Sequence, residues 1–166
     1  MLLWLPVSQA DAPPAAVAAE LQSQVLRLRE AGGIYVQGLA IASASLLVDF
    51  YAARDYVPVW TSGARIGELF ELLATAESHG LDPDDYHLPQ LRKLREQYQL
   101  DSDPATGAAL ELLLTESLVR FGYHQRFGKV NPARMEPTWN FSRQFRPGRE
   151  PLSTLQEVIA APSLQA

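Results

Sequence analysis

The sequence predicts a mainly α-helical, compact multi-helix domain with a short extended piece near residues 34–37. Two kinds of observation carry this. Apolar residues recur at spacings of three and four through most of the 166-residue chain, as one buried helix face requires. Ser or Asp, often followed by Pro, stands where these runs begin, and Gly where several of them end, which are start and stop signals for helices. A hydrophobic content of 47% is enough for a real core and argues against disorder.

Residues 1–12 are a short apolar run leading into small residues. They predict the remnant of a secretory signal peptide, with Ser8 and Ala10 at the −3 and −1 positions before Asp11. No basic residue precedes the run, and its apolar stretch is short for a complete signal. A domain over residues 13–161 should follow, with 162–166 opening a further, downstream region. Pro13 and Pro14 can only open a helix, and Val17, Leu21, Val25 and Leu28 give Ala15–Glu30 one apolar face. Gly32 and Gly33 end it. Ile34-Tyr35-Val36 is β-branched and short, and Gly38 limits it to an extended piece or a hairpin arm.

Ser43 or Ser45 is placed to cap the next helix, whose Leu46, Leu47, Phe50 and Tyr51 share a face and which must stop before Pro58. Arg54 to Trp60 puts a charged pair, aromatic residues and a proline into one short connection, with Trp60 as a buried anchor or, alternatively, a surface for stacking on a sugar. Ser62 then introduces a helix over Arg65–His79. Gly80 can adopt the left-handed conformation that stops it, and Asp82 before Pro83 caps the next turn. Asp84 and Asp85 add charge that the helix dipole favours. A calcium loop does not fit this corner: counted from Asp82, His87 stands where an EF-hand needs Gly, and Lys93 where it needs Glu.

Pro89 should divide the following segment into one turn and a longer helix through Leu91, Leu94 and Tyr98. Asp103 before Pro104 opens the longest helix, roughly Pro104–Phe127. Its stripe of Leu110, Leu113, Leu114, Leu118 and Phe121 is widened by Leu112 and Val119, so it should be central and touched on more than one side. Thr154 and Glu157 have the spacing of a capping box for a last short helix.

Charge and composition narrow the chemistry. The sequence has no cysteine, which removes thiolate catalysis, disulfides and cysteine-ligated metals. No cofactor is indicated, and no stretch approaches a membrane span. The net charge of −5 disfavours a nucleic-acid partner, although Trp139, Phe141 and Phe145 interleave with arginines as in single-strand binders. From Val119 to Arg149 there are seven basic residues against one acid, so this stretch carries about +6 and the remainder about −11. That asymmetry predicts either an anionic partner or docking of basic on acidic parts of one molecule. Its candidate contact residues are Arg126, Lys129, Arg134, Trp139, Arg143 and Arg146. His79, His87 and His124 have no zinc-motif spacing. A two-carboxylate lytic enzyme would need Glu111 or Glu116 with Asp85, whereas Glu116 stands at i, i+4 from Arg120 as an ion pair requires.

Several stretches together carry a family resemblance. They are Ile34-Tyr35-Val36-Gln37-Gly38, Asp49-Phe50-Tyr51, Arg54 to Trp60, His79 to His87 (His-Gly-Leu-Asp-Pro-Asp-Asp-Tyr-His), Leu114-Thr115-Glu116, Arg126-Phe127-Gly128-Lys129-Val130-Asn131-Pro132 and Trp139. In this order they resemble the N-terminal scaffold domain of large periplasmic murein L,D-transpeptidases. The resemblance implies a helical, non-catalytic module that accompanies a peptidoglycan-binding region and a cross-linking catalytic domain, in the periplasm of a Gram-negative envelope. The nucleophilic cysteine motif of those catalytic domains is missing, so no catalytic residue carries over. The expected partner is a transpeptidase domain. Peptidoglycan itself is the alternative, for an autonomous wall-binding module, and a wall-lytic enzyme is a third reading.

Overall fold

The longest helix organises the rest. A computed structural model, which describes residues 14–30, 35–129 and 150–164, has six α-helices and a two-stranded hairpin, packed around the longest of those helices. They are α1 (Pro14–Glu30), β1 (Tyr35–Val36), β2 (Leu39–Ala40), α2 (Ala44–Ala52), α3 (Gly63–Ala74), α4 (Leu88–Asp101), α5 (Pro104–Phe127) and α6 (Pro151–Ala160). Helices α1 to α4 all contact α5, and α6 lies against α2. The mainly α prediction is met, with the extended piece as one arm of an antiparallel hairpin in which Tyr35 faces Ala40 and Val36 faces Leu39.

α5 begins as its sequence demands. Asp103 accepts the Thr106 amide at 2.8 Å and the Thr106 hydroxyl at 2.8 Å, and Pro104 occupies the first turn, where its missing N–H costs nothing. From Thr106 through Leu118 every residue is buried, so the helix is covered on all sides. Burying a leucine such as Leu113 there contributes about 1.5–3 kcal/mol. Close approach depends on Gly107: a Cβ there would stand 2.7 Å from the Tyr98 ring and 3.2 Å from Val17. The bare backbone thus lets α1 and α4 pack onto the start of α5.

The corner after α3 differs in detail from the expected helix over Arg65–His79. Ser62 does cap it, accepting the Arg65 amide at 3.5 Å, but α-helical geometry stops at Ala74 and a tighter 3-10 turn covers Thr75–His79. The Thr75 hydroxyl donates to the Leu72 carbonyl and the Ser78 hydroxyl to the Thr75 carbonyl, bonds with which such side chains compete against a regular helix. Gly80 is left-handed at φ 70°, as predicted. Asp82 accepts the Asp84 amide at 3.0 Å and opens a 3-10 turn over Pro83–Tyr86. The break before α4 falls at His87, which is left-handed at φ 58°, while Pro89 sits harmlessly in the first turn of α4.

Two other expected caps are corrected. α6 begins at Pro151, three residues before the expected capping box, and the Thr154 hydroxyl donates to the Glu150 carbonyl. Pro151 suits a first turn better than an interior position, which fixes the earlier start. Ser43 does occupy the position before α2 but makes no side-chain bond to that helix. Its hydroxyl goes to Glu116.

Candidate functional site

Two glutamates in the buried part of α5 explain how the loops are held. Glu116 is 0% exposed. It accepts the Ala42 amide at 2.9 Å, the Ser43 amide at 3.1 Å and the Ser43 hydroxyl. Those amides precede the first turn of α2, so a carboxylate from another helix does the work of a cap. Arg120 grips the same carboxylate through Nε at 3.0 Å and Nη2 at 2.7 Å, the predicted i, i+4 pair. The guanidinium also donates to the carbonyls of Asp85 at 3.2 Å and Ala40 at 2.6 Å. One ion pair therefore joins α5 to the hairpin, to α2 and to the acidic corner.

Glu111 does the same for the connection before α3. It is 4% exposed and accepts the Val59 amide at 2.6 Å, the Trp60 amide at 3.1 Å and the Tyr51 hydroxyl at 3.0 Å. Thr115, one turn on, accepts the Trp60 indole N–H at 2.9 Å and lies 2.6 Å from the Tyr51 hydroxyl. Trp60 is 6% exposed, the buried anchor rather than the sugar platform. Burial pushes the Glu111 carboxyl up to about 7, against the opposing pull of the Val59 and Trp60 amides, Tyr51 and Arg54. Burial and the adjoining Glu111 charge likewise raise the Tyr51 hydroxyl well above its usual range.

The two carboxylates serve different loops, and neither shares a hydrogen-bond partner with the Asp85 carboxylate, which pairs with Lys129. Glu111 and Glu116 border different cavities, and Glu116 and Asp85 are each already paired with a cation, Arg120 and Lys129, unlike the two acids that face one gap in a two-carboxylate lytic site. The histidines are apart as well. His124 Nδ1 is 3.0 Å from the Tyr86 hydroxyl, His87 Nε2 is 3.4 Å from the Ala40 carbonyl, and His79 stacks edge-on to Phe121. Burial and the neighbouring Arg120 lower the His87 imidazole below its ordinary value. Among the described residues no group of three or more His, Asp or Glu could hold a metal ion, and no helix is long and apolar enough to cross a membrane.

Of the predicted contact residues, Lys129 is exposed and reaches Asp85, while Arg126 is exposed with its guanidinium 5.3 Å from the Phe127 ring. Arg134, Trp139, Arg143 and Arg146 lie outside the described residues. Arg126 stands beside an apolar groove of about 530 Å³ along the second half of α5, walled by Leu46 of α2 and by Leu155 and Val158 of α6. Sequence reasoning missed the Tyr51–Glu111–Thr115 cluster. Its signal was present: polar residues at 111, 115, 116 and 117 interrupt the otherwise apolar run from 107 to 119, and buried polar groups need partners.

A helical bundle whose inner acids tie down loops is architecture for holding shape. A family model for the scaffold domain matches residues 45–166, and the chain belongs to that scaffold domain family. No curated protein and no solved structure matches it.

Proposed function

We propose that this chain is the non-catalytic scaffold module of a peptidoglycan-cross-linking L,D-transpeptidase, exported to the periplasm of a Gram-negative envelope and serving cell-wall organisation. The observation that carries the reading is the use of the interior acids. Glu111 and Glu116, the two buried carboxylates of the described core, are consumed by backbone amides, a tyrosine and an arginine. A general acid must reach the proton it exchanges, within hydrogen-bond distance of a substrate; both carboxylates are at most 4% exposed, and where they border a cavity their oxygens are already engaged by these donors.

Membership of the scaffold domain family supports the structural role, and the absence of cysteine removes the thiolate that cross-linking chemistry of this kind requires. The transpeptidase and cell-wall context rests on the resemblance of the His79–His87 and Arg126–Pro132 stretches. The module positions a catalytic domain, with the basic stretch from Val119 to Arg149 supplying the contact residues apart from Arg120, which is spent on Glu116.

The test is to mix the chain with the separately produced catalytic domain of a scaffold-type L,D-transpeptidase from the same organism, and in parallel with purified sacculi. Binding to the domain that weakens as salt rises, and that is lost in Arg143→Glu with Arg146→Glu, supports positioning. Binding to sacculi alone makes the chain an autonomous wall-binding module instead. Binding to neither contradicts both readings.

A further inference from the structure

We propose that the groove along the second half of α5 seats an acidic amphipathic helix of the catalytic domain, so that one helix of the partner completes the bundle. The inference rests on the positioning role proposed above and adds where, and by what, the partner is held.

Cover on α5 stops before its apolar pattern does. Every residue from Thr106 through Leu118 is buried, whereas Val119 and Tyr123 are half-buried and Gly122 and Arg126 are exposed. These four stand at i, i+3, i+4 and i+7, the spacing of one helix face, and all four line the groove of about 530 Å³. Leu46 of α2 and Leu155 and Val158 of α6 form its other walls. Arg65 of α3 holds the α6 wall in place, its guanidinium donating to the Val158 and Ile159 carbonyls at 3.1 and 3.3 Å. From Glu116 to Arg126 the groove follows α5 for about 15 Å, at about 1.5 Å per residue. That length matches about three turns of a second helix, whose side chains enter such a groove at i, i+3 or i+4, and i+7. The floor permits close approach, since a Cβ on Gly122 would meet nothing within 4 Å.

Charge selects an acidic occupant. Glu116 and Arg120 both border the groove but neutralise each other, whereas Arg126 pairs with no acid among the described residues. Glu150 and Glu157, at the start of α6 and within it, are exposed and do not line the groove. The chain between Lys129 and Glu150 carries Arg134, Arg143, Arg146 and Arg149 against Glu136, a net charge of +3. Its two attachment points adjoin the groove, which Arg126 lines on one side and Pro151 on the other. An apolar cleft beside that much positive charge is complementary to an apolar stripe flanked by acids.

The test is calorimetric binding of the chain to the separately produced catalytic domain of a scaffold-type L,D-transpeptidase from the same organism. Gly122→Leu fills the groove from an exposed helical position, so it should weaken binding by about tenfold or more while Tm stays at or above the wild-type value. Arg126→Glu should weaken binding by about tenfold at low salt and progressively less as salt rises. Hydrogen exchange of the bound domain should show protection concentrated in one helix that carries acidic residues. Wild-type binding that Gly122→Leu leaves unchanged overturns the groove as the seat while the positioning role stands, and no wild-type binding at all overturns both. Protection confined to a strand or loop of the domain also overturns the proposal. A clear fall in Tm for Gly122→Leu does so too, because the groove would then be filled from within the chain. A dimer of the chain, or binding to phosphatidylglycerol vesicles, that the same variant abolishes would make a second copy or a lipid surface the occupant instead.

Discussion

Replacing Glu116 by alanine is the sharpest probe of how this fold is tied together. The side chain is fully buried and satisfies the Ala42 and Ser43 amides, the Ser43 hydroxyl and two nitrogens of Arg120. Its removal leaves the guanidinium, whose side chain is 16% exposed, with backbone carbonyls but no counter-charge, and unfastens the start of α2. Breaking one partner of a buried pair costs about 3–5 kcal/mol. For a chain of this length that corresponds to a fall in Tm of roughly 10 °C. Urea denaturation of the two proteins, compared at constant m, measures it directly. Glu68→Ala is the control, since it breaks only the partly exposed Arg65–Glu68 pair at 3.2 Å and should cost about 0–1 kcal/mol. If Glu116→Ala cost no more than Glu68→Ala, the carboxylate would not be the tie described here.

Other expectations follow from single positions. Gly107→Ala must push the Tyr98 ring away from a 2.7 Å contact and should cost about 1–3 kcal/mol in urea. Gly122→Ala, on the same helix with nothing within 4 Å, should stabilise by about 0.5–1 kcal/mol. Gly80→Val forces a β-branched side chain to φ 70° and should lower Tm clearly more than Lys93→Ala does. Ser117→Ala removes a buried hydroxyl with no partner among the described residues and should be neutral or stabilising by about 1 kcal/mol. Because the Glu111 carboxyl is raised when folded, its stabilising effect is complete below about 4.5 and is lost as pH rises through about 7. Global stability should therefore fall by at most about 3 kcal/mol over that window, and Glu111→Gln should flatten the change in a pH series of urea melts.

Much of this architecture was legible because local chemistry and burial agree along the chain. Asp103-Pro104 and Gly128 bound α5 where the sequence placed its ends, Gly80 is left-handed, Trp60 is buried, and Glu116 pairs with Arg120. The misses share a cause. The 3-10 turn after Ala74, the idle cap position at Ser43 and the early start of α6 depend on where a side chain's hydrogen bond goes, and residue type alone does not say. Ser43 looks like a cap by type, yet its hydroxyl is drawn to a carboxylate 73 residues away. For the Glu111 cluster the sequence signalled buried polar groups but not their partners, for a related reason. Periodicity locates the apolar faces of α5 but does not tell which loop amides will meet an acid buried among them. The contact residues at 134, 139, 143 and 146 were legible only as charge and aromatic pattern, and they fall outside the described residues.

The central claim is that the interior acids of this chain fasten loops and do no chemistry, so the domain positions and does not react. Incubating the purified chain with isolated peptidoglycan and resolving the muropeptides by chromatography tests it most directly. The account predicts a profile indistinguishable from that of untreated material. New cleaved or cross-linked products that disappear with Glu111→Gln or Glu116→Gln would contradict it and make one of those carboxylates a catalytic group.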